Sequence, residues 1–177
     1  MLTLRSAALC FLLPACGGTI STAPTDTGSA TGGSDSGNSS GPVSEIDYRD
    51  AGPYSVQSAS QSFNVGNDCT LDSTVYEPQN ASEAATVILS HGFARSKANM
   101  VAWGEHLASW GLTVITPDLC HASPFDSNHE QNGVDLQGLS AQLGASKIIF
   151  AGHSAGGLAS VLAGTGESKT VAVIGLD

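Results

Sequence analysis

The sequence predicts an α/β fold, a mostly parallel sheet covered by helices on both faces, and three observations predict it. Continuous apolar runs at 86–89, 112–116 and 148–151 read as buried strands, and 170–176 as a last strand. The stretches between them, at 100–110, 136–143 and 157–163, carry apolar or small residues at helical spacing. Ahead of these, 54–63 alternates weakly and 71–76 more clearly around the turn Gly66-Asn67-Asp68, which is an antiparallel hairpin. A hairpin followed by alternating strands and helices must bury both sheet faces, because each helix offers only one apolar stripe.

Taken in order, Thr86-Val87-Ile88-Leu89 is the first parallel strand. Met100, Trp103, Leu107 and Trp110 recur at three- and four-residue steps, giving a helix with one apolar face. Its two tryptophans either pack in the core or form a platform for a ligand, and the helical spacing favours packing. Gly111 ends the helix, and Leu112 to Thr116 is the next strand. Pro117 to Gln131 reads as a polar loop. Leu136, Leu139 and Leu143 make a second helical stripe, closed by Gly144.

The N-terminus is a separate matter. Residues 1–15 hold Arg5, an apolar run from Ala7 to Leu13, and small residues at the end, the pattern of an export signal. The run is far shorter than the roughly 18 apolar residues that span a bilayer. Leu13-Pro14-Ala15-Cys16 resembles the lipobox of bacterial lipoproteins. That resemblance implies a lipid on Cys16 and attachment to the bacterial cell envelope through this anchor alone, with ordinary secretion as the alternative. Residues 16–44 are dominated by Gly, Ser, Thr, Ala, Asp and Pro, too poor in apolar surface to offset ordering, so they read as a tether. Residues 45–177 are left for one domain, long enough to bury a core.

The chain carries 16 acidic and 6 basic residues. That balance repels nucleic acid and anionic lipid and argues against either as a partner. Of four cysteines, Cys10 leaves with the leader and Cys16 would carry the lipid, leaving Cys69 and Cys120 as free core thiols or as a pair.

The strongest chemical signal is Gly152-His153-Ser154-Ala155-Gly156. It follows the apolar run Ile148-Ile149-Phe150-Ala151 and precedes Gly157-Leu158-Ala159-Ser160-Val161-Leu162-Ala163. A G-x-S-x-G sequence between a buried strand and a helix is the sequence form of a nucleophile elbow. The serine oxygen must stand clear to attack a carbonyl, so the chain turns sharply at it, and glycines two before and two after remove colliding side chains.

With His91-Gly92-Phe93 after the first parallel strand and Pro117-Asp118 closing the next, these residues resemble the α/β-hydrolase family over nearly all of 54–177. The likeness is greatest to the cutinase-like polyester hydrolase, dienelactone hydrolase and chlorophyllase branches. It implies a three-layer sandwich and a serine carboxylic ester hydrolase acting on a small or polymeric ester without a cofactor. It also implies that the second hairpin strand lies antiparallel beside 112–116, which brings Cys69 to Cys120 and favours a disulfide. Oxyanion donors would be the N–H groups of Ala155 and Phe93, and the Phe93 ring either walls the acyl pocket or simply packs. His91 and His153 would orient loops.

The family's triad order is Ser…Asp/Glu…His. Asp177, at the end of Ile174-Gly175-Leu176-Asp177, resembles the acid of chlorophyllases and pancreatic-type lipases. The alternative is a residue capping the strand end, with the acid on a later strand. All five histidines, at 91, 106, 121, 129 and 153, precede it. The resemblance therefore implies a domain short of its last strands, closing helix and base, and a weakly active or inactive chain. A non-catalytic surface lipoprotein that binds through the same scaffold is the competing expectation. Asp118, Cys120, His121, Asp126 and His129 are metal-ligand types without a recognised metal spacing, and loop polarity accounts for them, so no metal is expected.

Overall fold

The computed structural model describes residues 46–66, 68–82 and 85–177. The leader, the tether and Cys16 lie outside the described residues. Six strands form one mixed sheet in the order β1-β2-β4-β3-β5-β6. They are β1 (Val56–Gly66), β2 (Cys69–Pro78), β3 (Thr86–Ser90), β4 (Thr113–Pro117), β5 (Ile148–His153) and β6 (Thr170–Leu176). β1 and β2 form the antiparallel hairpin, β2 runs antiparallel to β4, and β4, β3, β5 and β6 are parallel. Among the described residues three α-helices accompany the sheet: α1 (Val101–Ser109), α2 (His129–Gln142) and α3 (Ala155–Gly166). None of the described helices is long and apolar enough to cross a membrane.

Strand alternation divides the interior. Ile88, Ile115, Ile148 and Phe150 face α2 and α3 and pack with Leu136, Leu139, Ala159 and Ala163. Val87, Leu89, Val114 and Ala151 face the other way, with Tyr76, Met100 and Ala108. Successive side chains of a strand point to opposite faces, so a strand apolar at every position is the one that feeds both layers. Tyr76 is fully enclosed in this second layer, and burial pushes its phenol above the ordinary range.

The register of β2 on β4 pairs Ser73 with Pro117. The start of β2 thus lies alongside the chain leaving β4, and Cys69 and Cys120 are joined in a disulfide with Cα atoms 5.9 Å apart.

Two expectations need correction. The apolar helix read from Met100 to Trp110 divides into a 3₁₀ turn, Lys97–Met100, and α1. Its buried face is Met100, Gly104 and Ala108, while Trp103 is half-exposed. The reason is Tyr76: a Cβ on Gly104 would lie 2.5 Å from its ring, so the closest contact falls to a residue without a side chain. Trp103, one residue around the helix, is turned outward. The polar loop, expected to reach Gln131, ends at Asn128. The Asn128 side chain accepts the Gln131 N–H at 3.0 Å and starts α2 at His129.

Candidate active site

Ser154 sits between β5 and α3 with φ 53° and ψ −120°, a backbone region that side-chain-bearing residues rarely occupy and that costs about 1–3 kcal/mol. Among the described residues four non-glycines have positive φ: Asp68, Asn80, Ala94 and Ser154. Asp and Asn tolerate that conformation in turns. Ala94 and Ser154 have no such excuse, and both lie at the carboxyl end of the parallel strands.

The glycines around Ser154 are set by contact. A Cβ on Gly152 would fall 2.3 Å from the Gly156 carbonyl oxygen, and one on Gly156 would fall 2.4 Å from that of His91 and 2.6 Å from that of Ser90. These are backbone atoms and cannot rotate away. The Ser154 N–H donates to Leu176 O at 2.8 Å and its own carbonyl accepts from Gly157 at 2.8 Å, which closes the turn and leaves the side chain exposed.

The Gly92-Phe93 turn abuts Ser154 directly. A Cβ on Gly92 would lie 3.5 Å from Ser154 Cβ and 3.0 Å from His153 Nδ1. Ala94 N–H donates to Ala122 O at 2.7 Å, and Arg95 N–H to Gly92 O at 3.2 Å. Between them, Phe93 N–H meets no acceptor among the described residues, and the same holds for Ala155 N–H at the start of α3. Two uncommitted backbone N–H groups are therefore present here, one in the turn next to Gly92 and the other directly after Ser154 at a helix N-terminus.

His91 positions this turn from beneath. It is buried, and its Nε2 accepts the Leu119 N–H at 3.0 Å. That leaves the proton on Nδ1, which donates to Gly92 O at 2.8 Å. Both ring nitrogens are spent, so His91 cannot act as a base. Asp118 adds a second tie: its carboxylate accepts the Lys97 N–H at 2.6 Å and meets Lys97 Nζ at 3.3 Å.

Asp177 follows β6, whose Leu176 pairs with His153. It is exposed and borders a cleft of about 530 Å³ with Gly92, Arg95, Asn99, Met100, Trp103 and His153. The structure thus brings Asp177 to a cleft that His153 of the elbow also lines, while Ser154 is not part of its lining. Ser154 Oγ makes no hydrogen bond to any described residue.

Four of the five metal-ligand types in the loop are otherwise engaged, and the fifth, His129, has a buried Nδ1 with no hydrogen-bond partner among the described residues. Cys120 is in the disulfide and Asp118 pairs with Lys97. His121 Nδ1 contacts Asp126 at 2.7 Å, and its Nε2 lies 3.7 Å from buried Asp135. Among the described residues the one grouping of three metal-ligand atoms is Cys69, Cys120 and Asp135, and its sulfurs are joined to each other. Sequence reasoning missed Asn132 and Asp135, which are buried beneath this loop. Asn132 exchanges hydrogen bonds with the His121 backbone at 3.1 and 2.8 Å. The Asn128-to-Gln131 capping spacing was the available signal, since it places both residues on a helix instead of in a loop.

A scan against protein-family models and a search of curated proteins found no match to this chain.

Proposed function

We propose that this chain carries the nucleophile and oxyanion donors of a serine carboxylic ester hydrolase with an α/β-hydrolase architecture. The observation that carries the proposal is the strained Ser154 conformation, clamped by backbone contacts at Gly152 and Gly156 and flanked by the free N–H groups of Phe93 and Ala155. In this reading Ser154 Oγ attacks the ester carbonyl carbon and the carbonyl oxygen becomes the oxyanion. Phe93 and Ala155 N–H groups stabilise that charge, and loss of one such donor typically costs about 2.7–4 kcal/mol of transition-state stabilisation. The alcohol leaves, and water releases the acid from the acyl-enzyme. Asp177 is the carboxylate that would orient a histidine base.

No described histidine is hydrogen-bonded to Ser154, so the nucleophile and its oxyanion donors stand without an assembled base. A frame lacking one triad member retains roughly 10³–10⁴-fold catalysis over water from the oxyanion donors and binding. Hydrolysis of p-nitrophenyl butyrate should therefore be slow but abolished by Ser154→Ala. Added imidazole, which can take the serine proton from solution, should accelerate it in proportion to its neutral form. Hydrolysis equal in wild type and Ser154→Ala, with or without imidazole, defeats the proposal. It would favour the competing reading, a scaffold that binds without catalysis, which the missing base contact supports. The lipid anchor at Cys16 belongs to the same proposal and predicts a membrane-fraction protein that a Cys16→Ser change releases.

A further inference from the structure

Three elements meet beside the Cys69–Cys120 disulfide: the start of β2, the loop after β4 and the second turn of α2. There Asp135 is 1% exposed, and only one of its carboxylate oxygens is satisfied. Oδ1 accepts from Gln131 Nε2 at 2.9 Å, while Oδ2 has no hydrogen-bond partner among the described residues. The His121 ring faces it. His121 Nδ1 is engaged with Asp126 at 2.7 Å, and its buried Nε2, also without a hydrogen-bond partner, lies 3.7 Å from Asp135 Oδ2. An unsatisfied carboxylate oxygen in the interior is costly. This pair is completed only by a cation, either a proton on Nε2 or a metal ion.

The sulfurs decide which metal the site is shaped for. One ligand atom from each of Cys69, Cys120 and Asp135 lies within 4.8 Å of the others. Two thiolates, a carboxylate and an imidazole suit tetrahedral zinc, with bonds of about 2.0–2.3 Å and hence edges of roughly 3.3–3.8 Å. The 3.7 Å between His121 and Asp135 is already such an edge. The outer partners are in place too. Asp126 on His121 Nδ1 is the carboxylate that fixes the tautomer of a ligating histidine, and Gln131 steadies Asp135. In the oxidised chain the sulfurs are bonded to each other and offer no thiolate.

We propose that reduction of the Cys69–Cys120 disulfide opens a zinc site made of Cys69, Cys120, Asp135 and His121. The reductant is a dithiol. Cys120 is less buried than Cys69, so one thiolate of the reductant attacks Cys120 Sγ, forms a mixed disulfide and releases the Cys69 thiolate. The second thiol then displaces Cys120, and the reductant departs as a disulfide, having given two electrons to the protein. Zinc binds both sulfurs as thiolates, and their two protons pass to solvent. Disulfide and metal are thus alternative clamps on the same three elements, and neither depends on the chemistry of Ser154.

Cobalt(II) titration tests this in the full chain carrying Cys10→Ser and Cys16→Ser, so that only two sulfurs are available. After reduction and removal of the reductant, this parent should bind one cobalt ion. The complex should show the intense visible bands of tetrahedral cobalt and a sulfur-to-cobalt charge-transfer band, and zinc should displace it. The oxidised protein should show neither band. Asp135→Asn and His121→Gln, each with both thiols intact, should weaken zinc binding at least about tenfold. Losing even an outer partner of a ligand typically costs roughly 10–100-fold. Equal affinity in the reduced parent and in either variant overturns the proposal, because the thiols then gather metal without that ligand. A six-coordinate cobalt spectrum overturns it, as does an oxidised chain that binds as well as the reduced one. A reduced chain that unfolds without metal leaves the test intact. Only the folded loop brings Asp135 and His121 to the sulfurs, so both variants must still lose affinity.

Discussion

The elbow at Gly152–Gly156 is held by backbone pressed on backbone, whereas the Gly92-Phe93 turn facing it is held by hydrogen bonds to the chain that leaves β4. On the elbow, the contacts that forbid a Cβ are the carbonyl groups of Ser90, His91 and Gly156 themselves. On the turn, the ties are the His91 ring to Leu119, Asp118 to Lys97, and Ala94 to a loop that the Cys69–Cys120 disulfide pins to β2. The first wall rests on glycines packed against the backbone of the neighbouring strand β3. The second rests on individual hydrogen bonds to the loop after β4, so it can loosen while the sheet remains folded. The geometry at Ser154 should therefore fail only with the fold, and the position of the Phe93 N–H should be lost before it.

The largest expected effect is on the elbow. Gly156→Ala places a methyl against two carbonyl oxygens and should destabilise the domain by upwards of about 3 kcal/mol, read as a fall in the urea midpoint. Reactivity and stability should be lost together. A Gly156→Ala protein of wild-type stability would break the comparison at its first wall.

Next is the disulfide, which closes a separation of 51 residues. A Cys69→Ser/Cys120→Ser double variant should lose about 2–4 kcal/mol. Under conditions where it is still folded, modification of Ser154 should slow by about tenfold or more, because the Phe93 donor is misplaced. Unchanged reactivity in the folded variant would mean that the second wall is as self-sufficient as the first.

Ser154→Gly sharpens the comparison from the other direction. Glycine relieves the positive φ, so stability should rise by up to about 1 kcal/mol while reactivity vanishes. Differential scanning calorimetry gives the sign directly.

The smallest effect lies away from both walls. Glu167 follows α3, and its carboxylate accepts the Lys169 N–H and the Ser140 hydroxyl, each at 3.0 Å. The Lys169 N–H is the main cause holding its pKa below the usual carboxylate range, against the opposing effect of desolvation. A carboxyl group depressed in the folded state contributes stability above its unfolded pKa, and loses that contribution as pH falls through the lower folded value. The melting-temperature gap between wild type and Glu167→Gln should therefore close as the pH drops below about 4. A gap that is constant from pH 7 to 3 contradicts the depressed pKa.

The same contrast explains what could be read in the sequence. The six strands and the disulfide partners were legible because apolar runs and hairpin turns are local signals, and the resemblance supplied the strand neighbours. Ser154 was legible because its constraint is written in adjacent glycines. Trp103 was misassigned because hydrophobic periodicity weights large residues, while the buried face of α1 is carried by Gly104 and Ala108 beneath Tyr76. Asp135 and Asn132 were hidden because buried polar residues look like loop polarity until the loop they support is in place. The roles of Asp118 and Ala94 lie in a tie and a backbone angle that no local pattern encodes.

The most direct test of the account is modification of the folded 177-residue chain by a small soluble fluorophosphonate, followed by peptide mapping. The account predicts phosphonylation at Ser154 at least about 10²-fold faster than at any other serine, the reserve expected of an oxyanion frame without its base. It also predicts loss of that preference in urea and acceleration by imidazole. A folded chain in which Ser154 reacts no faster than the other serines would contradict it.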